Sequence, residues 1–192
     1  MNSLTKQALL STEPSIVPGP LQTLVRTVLR KFAVRGNVSL GTNVRAGRGA
    51  VIAAPHHLTV GDNVSVGPYS VVQVDGSIGE WTLIGMYVQI VGKNDHAIDE
   101  VGVPIRMSAR VGDRAAQPSD AVHIGRDVWI GASSIVLSGV RIGTGSIIGA
   151  GSVVTKNIPD FSIAVGNPAR VIGRRFSSDE DRSAHQRILN EL

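Results

Sequence analysis

The chain has 192 residues, of which 42% are hydrophobic, 18% charged and 4% aromatic; that is apolar enough for one packed domain and excludes wholesale disorder. It contains no cysteine, which excludes disulfide frameworks, thiolate metal sites and a cysteine nucleophile, and fits a reducing compartment. The net charge is +4, but the basic residues are scattered and rings for base stacking are scarce, so nucleic acid is not an expected partner.

In chain order, residues 1–19 are polar and carry Pro14 and Pro18, with Pro20 just beyond; a flexible arm is expected there. No charged segment followed by an apolar signal core opens the chain, and no apolar run reaches the roughly 18 residues that span a bilayer. A cytoplasmic location is the expectation. From Leu21, the set Leu21, Leu24, Val25, Val28, Leu29 and Phe32 has helical spacing, with Arg26, Arg30 and Lys31 on the other face. The spacing predicts an amphipathic helix that caps the domain, with contact to a membrane surface or a partner helix as the alternative use. Residues 1–36 are therefore read as arm and helix, 37–176 as the main domain and 177–192 as a C-terminal helix.

The main domain is periodic. Val60, Val66, Val72, Ile78, Ile84 and Ile90 fall six apart, and the series resumes at Ile124, Ile130, Val136, Ile142, Ile148 and Val154. The position after each is glycine in eight of these twelve hexads; the exceptions are Gln73, Val91, Leu137 and Thr155. Gln73 and Val91 lie 18 apart, as do Leu137 and Thr155, so every third hexad differs and the structural unit is three hexads. Six residues per side and three sides per turn describe a triangular coil with β-branched residues inside and glycine relieving crowding near the corners. Stacked coils make an all-β parallel β-helix of about five turns, beginning at Leu40. Neither the helical period nor the ordinary strand period accounts for this spacing.

Two breaks interrupt the count, both after the third side of a coil. The interval Ile52 to Val60 is two residues too long, around His56 and His57, and Ile90 to Ile124 carries a long insertion at about residues 92–121. A solenoid interior cannot absorb the second insertion, so it is an external loop, the usual place for function on a rigid scaffold. At the far end Ser177-Ser178-Asp179-Glu180 reads as a helix start, giving a short helix over 178–191 that serves as a lid on the last coil or as an oligomer contact. Asn167-Pro168 reads as a tight, cis-capable turn leaving the last coil.

The hexad pattern over Asn37 to Arg174 resembles the hexapeptide-repeat acyltransferases. The likeness is strongest in Asp127-Val128-Trp129-Ile130-Gly131, Ile148-Gly149-Ala150-Gly151-Ser152 and Gly166-Asn167-Pro168-Ala169-Arg170-Val171-Ile172, where it points to the branch of sugar, antibiotic and exopolysaccharide O-acetyltransferases. The resemblance implies a left-handed coil and a homotrimer that binds acetyl-CoA between subunits. It also implies that His96, in Lys93-Asn94-Asp95-His96 at the root of the loop, is the catalytic base. A histidine titrates near neutrality, so it can take a hydroxyl proton and return it to the leaving thiolate. Asp95 or Asp99 is the candidate to orient its ring. By the same resemblance Ala132 offers its backbone N–H near the thioester and Trp129 shapes the adjoining wall. Ala150 and Thr155 take the pantetheine arm or the adenine end, and Arg170 takes the phosphates. Lys156 and Arg174 are further cations for CoA's anionic end.

Sugar acetyltransferases of this branch offer an asparagine upstream of the histidine to hold the acceptor. None is securely placed here, and Tyr69, Ser70 and Gln73 occupy that stretch. The expected activity is acetyl transfer to a hydroxyl of a sugar or polysaccharide precursor, with an antibiotic or other small-molecule acceptor as the alternative. A non-enzymatic binding or assembly scaffold is the rival from another class. A zinc site of the γ-class carbonic anhydrase kind needs three converging histidines. Of the five at 56, 57, 96, 123 and 185 only His96 lies in the expected region, so no metal is expected, and His56 and His57 read as surface corner residues.

Overall fold

A computed structural model describes residues 19–192; the arm expected over residues 1–18 lies outside the described residues. Helix α1 (Gly19–Ala33) leads into β1 (Val34–Leu40), β2 (Arg45–Ala46), β3 (Val51–Val60), β4 (Ser65–Val66), β5 (Val71–Gln73), β6 (Asp75–Ile78), β7 (Leu83–Ile84) and β8 (Gln89–Val91). After the loop come β9 (Ala121–Ile124), β10 (Trp129–Ile130), β11 (Ile135–Leu137), β12 (Arg141–Ile142), β13 (Ile147–Ile148) and β14 (Val153–Val154). The chain closes with β15 (Ser162–Val165), β16 (Arg170–Arg174) and helix α2 (Asp179–Glu191).

The strands stack in parallel into three faces. One holds β2, β4, β7, β10, β13 and β15. The second runs from the first half of β3 through β5, β8 and β11 to β14. The third runs from the second half of β3 through β6 and β9 to β12. Strand β3 turns a corner, and so contributes to two faces. This is the expected parallel β-helix. The five coils read from the hexads are complete, and a partial turn at each end, from Val34 at the start and from Ile158 and Ala164 at the finish, brings the total to about seven.

All twelve Val and Ile positions of the hexad series point inward, each at most 3% exposed. Two residues before many of them sits a second buried layer that includes Ser70, Thr82, Ser134, Ser146 and Ser152. These hydroxyls are satisfied within the stack. Ser70 Oγ donates to Gly85 O at 2.8 Å and accepts from Val88 N at 3.1 Å, and Ser134 Oγ donates to Gly149 O at 3.0 Å. Glycine follows the inward residue because the next coil lies directly above. A Cβ at Gly131 would stand 2.5 Å from the backbone nitrogen of Ala150. Left-handed backbone is a different matter, carried at the corners by Asn63, Tyr69, Trp81, Tyr87, Asp127 and Ser133. The glycine column therefore answers close approach between coils rather than backbone dihedral angle.

Helix α1 caps the first coil, touching β1, β2 and β3. Ala33 is the helix residue that joins the core, and of the apolar set read from the periodicity Leu29 alone is half-buried. Leu21, Leu24, Val25, Val28 and Phe32 are 41–75% exposed. Ser178 caps α2 by accepting from Asp181 N at 3.0 Å, as the Ser-Ser-Asp-Glu run predicts. The helix lies along a flank, where His185 Nε2 and Arg175 Nη1 both meet Asp127 Oδ2, at 2.7 and 2.6 Å, and Leu189 is buried. The Asn167–Pro168 peptide bond at the exit from the last coil is cis.

The external loop spans residues 92–120 and carries short helical turns at Ile105–Met107, Val111–Asp113 and Pro118–Asp120. Its return limb is pinned to the two-residue insertion in β3, which corrects the reading of His56 as a surface corner residue. His56 Nδ1 meets Asp75 Oδ2 at 2.6 Å, and Nε2 donates to the Arg114 carbonyl at 2.7 Å. Both partners are acceptors, so the ring is held as the imidazolium. The backbone N–H groups of His56 and His57 donate to the other oxygen of Asp75. The Arg114 guanidinium in turn grips buried Asp120 through two bonds of 2.7 and 2.8 Å. The Asp75 carboxylate, and secondarily the Arg114 carbonyl, raise the pKa of His56 above 6.5. The Arg114 guanidinium holds the Asp120 carboxyl below 3.8.

Two outcomes follow. Gly131→Ala should destabilise the fold by about 1–3 kcal/mol, as overpacking does, while Gly173→Ala, where a Cβ would have nothing within 4 Å, should leave the thermal transition unchanged. The pinning of the loop should depend on pH. The His56 contribution is complete below pH 6.5 and lost as pH rises through its raised folded value, whereas the Asp120 contribution holds above pH 3.8 and is lost as pH falls below it. Amide exchange in residues 111–120, corrected for intrinsic rate, should show more protection at pH 6 than at about pH 8.5. Strand β10 should not change, and His56→Ala should abolish the difference.

Candidate active site

The third side of each of the first four coils ends in a column of registered residues, Ala53, Gln73, Val91 and Leu137. Gln73 is the one polar side chain among them. The loop leaves this corner and returns on itself. Ala97 N donates to Ala109 O at 2.9 Å, Val111 N donates to Asp95 O at 3.0 Å, and His96 is bridged to Arg110. Three residues on each limb thus make a short antiparallel clamp with His96 in its middle. A side chain on such a clamp is positioned by backbone pairing and does not depend on its own packing.

His96 stands in the wall between two clefts. One, of about 450 Å³, is floored by Ala53, Ala54 and Gln73 and edged by Asp95, Arg110 and Asp113. The other, of about 430 Å³, is lined by Asn94, Ile98, Asp99 and Gln117, among others. Among the described residues, His96 Nδ1 is the single buried side-chain nitrogen or oxygen without a hydrogen-bond partner. Leaving such an atom unpaired costs about 1–3 kcal/mol, so this position is maintained against a stability cost.

Neither candidate orienting group is hydrogen-bonded to the ring. Asp99 lines the second cleft with its side chain exposed. The Asp95 residue is exposed as a whole, but its carboxylate is tucked against the backbone at the loop root, where a Cβ on Gly92 would stand only 1.9 Å from Oδ1. This partial burial raises its pKa; the charge of His96 opposes the rise and that of Asp120 adds to it.

Of the three residues upstream of His96, the structure selects one. Tyr69 lies on a different corner and stacks on Tyr87 at 5.4 Å between ring centroids. Ser70 is buried in the inner hydroxyl layer. Gln73 lines the cleft beside His96. Its signal in the sequence was the break in the glycine column. Arg110 and Asp113 were visible only as charges in a long loop, because no periodicity tells which loop residue folds back to which.

The residues assigned to the cosubstrate lie elsewhere on the chain. Trp129, 51% exposed, stands outward on the β10 face in register between Leu83 and Ile147. Ala132 and Ala150 occupy stacked positions at the corner that follows, where Gly151 N donates to Ala132 O at 2.9 Å. Thr155 and Lys156 are exposed after β14, and Arg170 is exposed on β16. Arg174 faces Asp179 at 3.8 Å. None of Trp129, Ala132, Ala150, Thr155, Lys156 and Arg170 lines either cleft beside His96. One copy of the chain does not unite the two sets. Among the described residues no group of three or more His, Asp or Glu is arranged to hold a metal ion, and no helix is long and apolar enough to cross a membrane.

Residues 121–156 match the bacterial transferase hexapeptide (six repeats) family. Over 141 residues, 73% of this chain, the sequence is 38% identical to the galactoside O-acetyltransferase of Lactococcus lactis, and the match covers 56% of that protein. In a staphylococcal, a mycobacterial and the lactococcal relative, the matched segments span 29%, 42% and 56% of the relative's length. Among solved structures, the fold is similar to that of the N-acyltransferase AntD from Bacillus cereus in complex with dTDP and 3-hydroxybutyryl-CoA. The TM-score is 0.59 at 19% identity, over 86% of this chain and 95% of that one. It is also similar to that of a hexapeptide-repeat acetyltransferase from Vibrio cholerae complexed with acetyl-CoA, with a TM-score of 0.54 at 20% identity, over 91% of this chain and 87% of that one. Six-residue coils continue through the whole domain, and residues 121–156 within them match the bacterial transferase hexapeptide (six repeats) family, so the chain carries a hexapeptide-repeat β-helix like that of these transferases.

Proposed function

We propose that this chain transfers an acetyl group from acetyl-CoA to a hydroxyl of a sugar or polysaccharide precursor, with His96 as general base in a ternary complex. The observation that carries the proposal is His96 itself, clamped by backbone pairing between two clefts with Nδ1 buried and unpartnered. The lactococcal relative's name supports the acetyl group and the sugar hydroxyl, and the acetyl-CoA complex of the Vibrio protein supports the donor.

The reaction needs few parts. His96 takes the proton of the acceptor hydroxyl as its oxygen attacks the thioester carbonyl. The tetrahedral oxyanion is met by a backbone N–H, for which Ala132 is the candidate. Collapse breaks the carbon–sulfur bond, and the leaving thiolate takes the proton back from the imidazolium, yielding the acetate ester and CoA thiol. Direct attack suits a chain without cysteine. Gln73 offers an uncharged amide to the acceptor beside His96, and Asp95 supplies a negative charge near the ring.

The two residue sets that one copy leaves apart meet in a homotrimer, where the His96 corner of one subunit faces the Trp129, Ala132 and Ala150 side of the next. The outward ladder of Leu83, Trp129 and Ile147 gives that neighbour an apolar surface. Lys156 and Arg170 then serve the phosphates. A buried Nδ1 unpartnered in one copy is consistent with a partner supplied by ligand or neighbour.

His96→Ala should lower kcat about 10²–10⁴-fold while calorimetry shows acetyl-CoA binding almost unchanged; near-normal turnover in this variant would overturn the assignment. Replacing Lys156 and Arg170 together by Gln should raise the KM for acetyl-CoA with little change in kcat, because a contact remote from the reacting carbon binds ground state and transition state alike.

A further inference from the structure

We propose that the α1 end of the solenoid docks on an anionic membrane surface. The charges of this protein are segregated along its axis. Between Gly19 and Gly61 lie six basic residues and no Asp or Glu; from Asp62 onward there are 12 basic and 14 acidic residues. The six are Arg26, Arg30 and Lys31 on α1 with Arg35, Arg45 and Arg48 on the first coil. One end of a rigid prism is therefore positive, and the remainder is slightly negative.

That same end presents the apolar stripe. Leu21, Leu24, Val25, Val28 and Phe32 fall on one side of α1 and are 41–75% exposed, whereas Ala33 is buried in the core and Arg26, Leu29 and Arg30 are half-buried, with Lys31 exposed. An interfacial helix has this composition: an apolar face for the acyl boundary, cations for the lipid phosphates, and no acid to be repelled by them.

Charge also decides between occupants. A second copy docking through the same face would set six cations against six, whereas an anionic bilayer supplies both the apolar layer and the counter-charge. The inference does not depend on the acetyl-transfer reading. A soluble or a lipid-linked acceptor is compatible with it.

The test is co-sedimentation of the full chain with vesicles of phosphatidylcholine alone and with roughly 30% phosphatidylglycerol, at about 0.05 and 0.5 M salt. Binding should be at least ~10-fold tighter to the anionic vesicles at low salt and should fade at high salt. Leu24→Glu with Val28→Glu should abolish it, and Arg26→Gln, Arg30→Gln and Lys31→Gln together should weaken it at least ~10-fold. Because the two apolar positions are exposed, an unchanged thermal transition should show that the solenoid still folds. No preference for anionic vesicles, or full binding by the Leu24→Glu/Val28→Glu variant, would overturn the proposal. So would self-association that this variant abolishes in a wild-type chain that ignores vesicles, since a second copy would then cover the face.

Discussion

The distance between coils governs this molecule. At two of the three corners the backbone lies under the next coil so closely that a residue with a Cβ after the inward position would press on the peptide above it. Glycine is therefore repeated for lack of room, as the 2.5 Å approach at Gly131 illustrates. The same spacing brings β-branched residues into one continuous column, and it turns Ser70 and Ser134 into links between coils rather than buried costs. Left-handed backbone is taken at the outer corners by Asn, Tyr, Trp, Asp and Ser as well as by Gly49, Gly145 and Gly151, none of which belongs to the column after the inward residue.

Such a lattice is chemically uniform, and the candidate site lies where it is interrupted. Both interruptions open at one corner, and the structure joins them. The two extra residues in β3 bring His56 onto Asp75, and the imidazolium holds the carbonyl of Arg114 in the distant return limb of the loop. Arg114 then fixes Asp120 where the chain re-enters the coil. The limb so anchored is the one that pairs with the segment around His96. An ionic latch on one side and a backbone clamp on the other thus fix a histidine that has no hydrogen-bond partner for its buried nitrogen.

The ends of the prism differ because a solenoid must stop stacking somewhere. At the far end β15 and β16 pair antiparallel, and α2 turns down the flank to Asp127. At the near end α1 covers the first coil and leaves its apolar stripe outward. Periodicity showed that a stripe exists. Its direction depends on how the first coil ends, which a helical wheel does not contain.

The sequence by itself determined the coil, its side length, the inward residues, the corner from which the loop departs and the start of α2. These all follow from interactions between residues a fixed number apart, so the chain repeats them in print. The resemblance carried by the repeat likewise singled out His96 as the candidate base. What only the tertiary structure decided are contacts between segments that no period relates. It placed His56 on the Arg114 carbonyl, set Arg110 across from His96 and drew Gln73 out of three upstream candidates into the cleft. It also left Trp129, Ala132 and Ala150 on a side of the prism that His96 does not reach. Local geometry is written once per hexad and can be read from any of them; a non-periodic contact is made once, between residues whose separation along the chain carries no information about their separation in space.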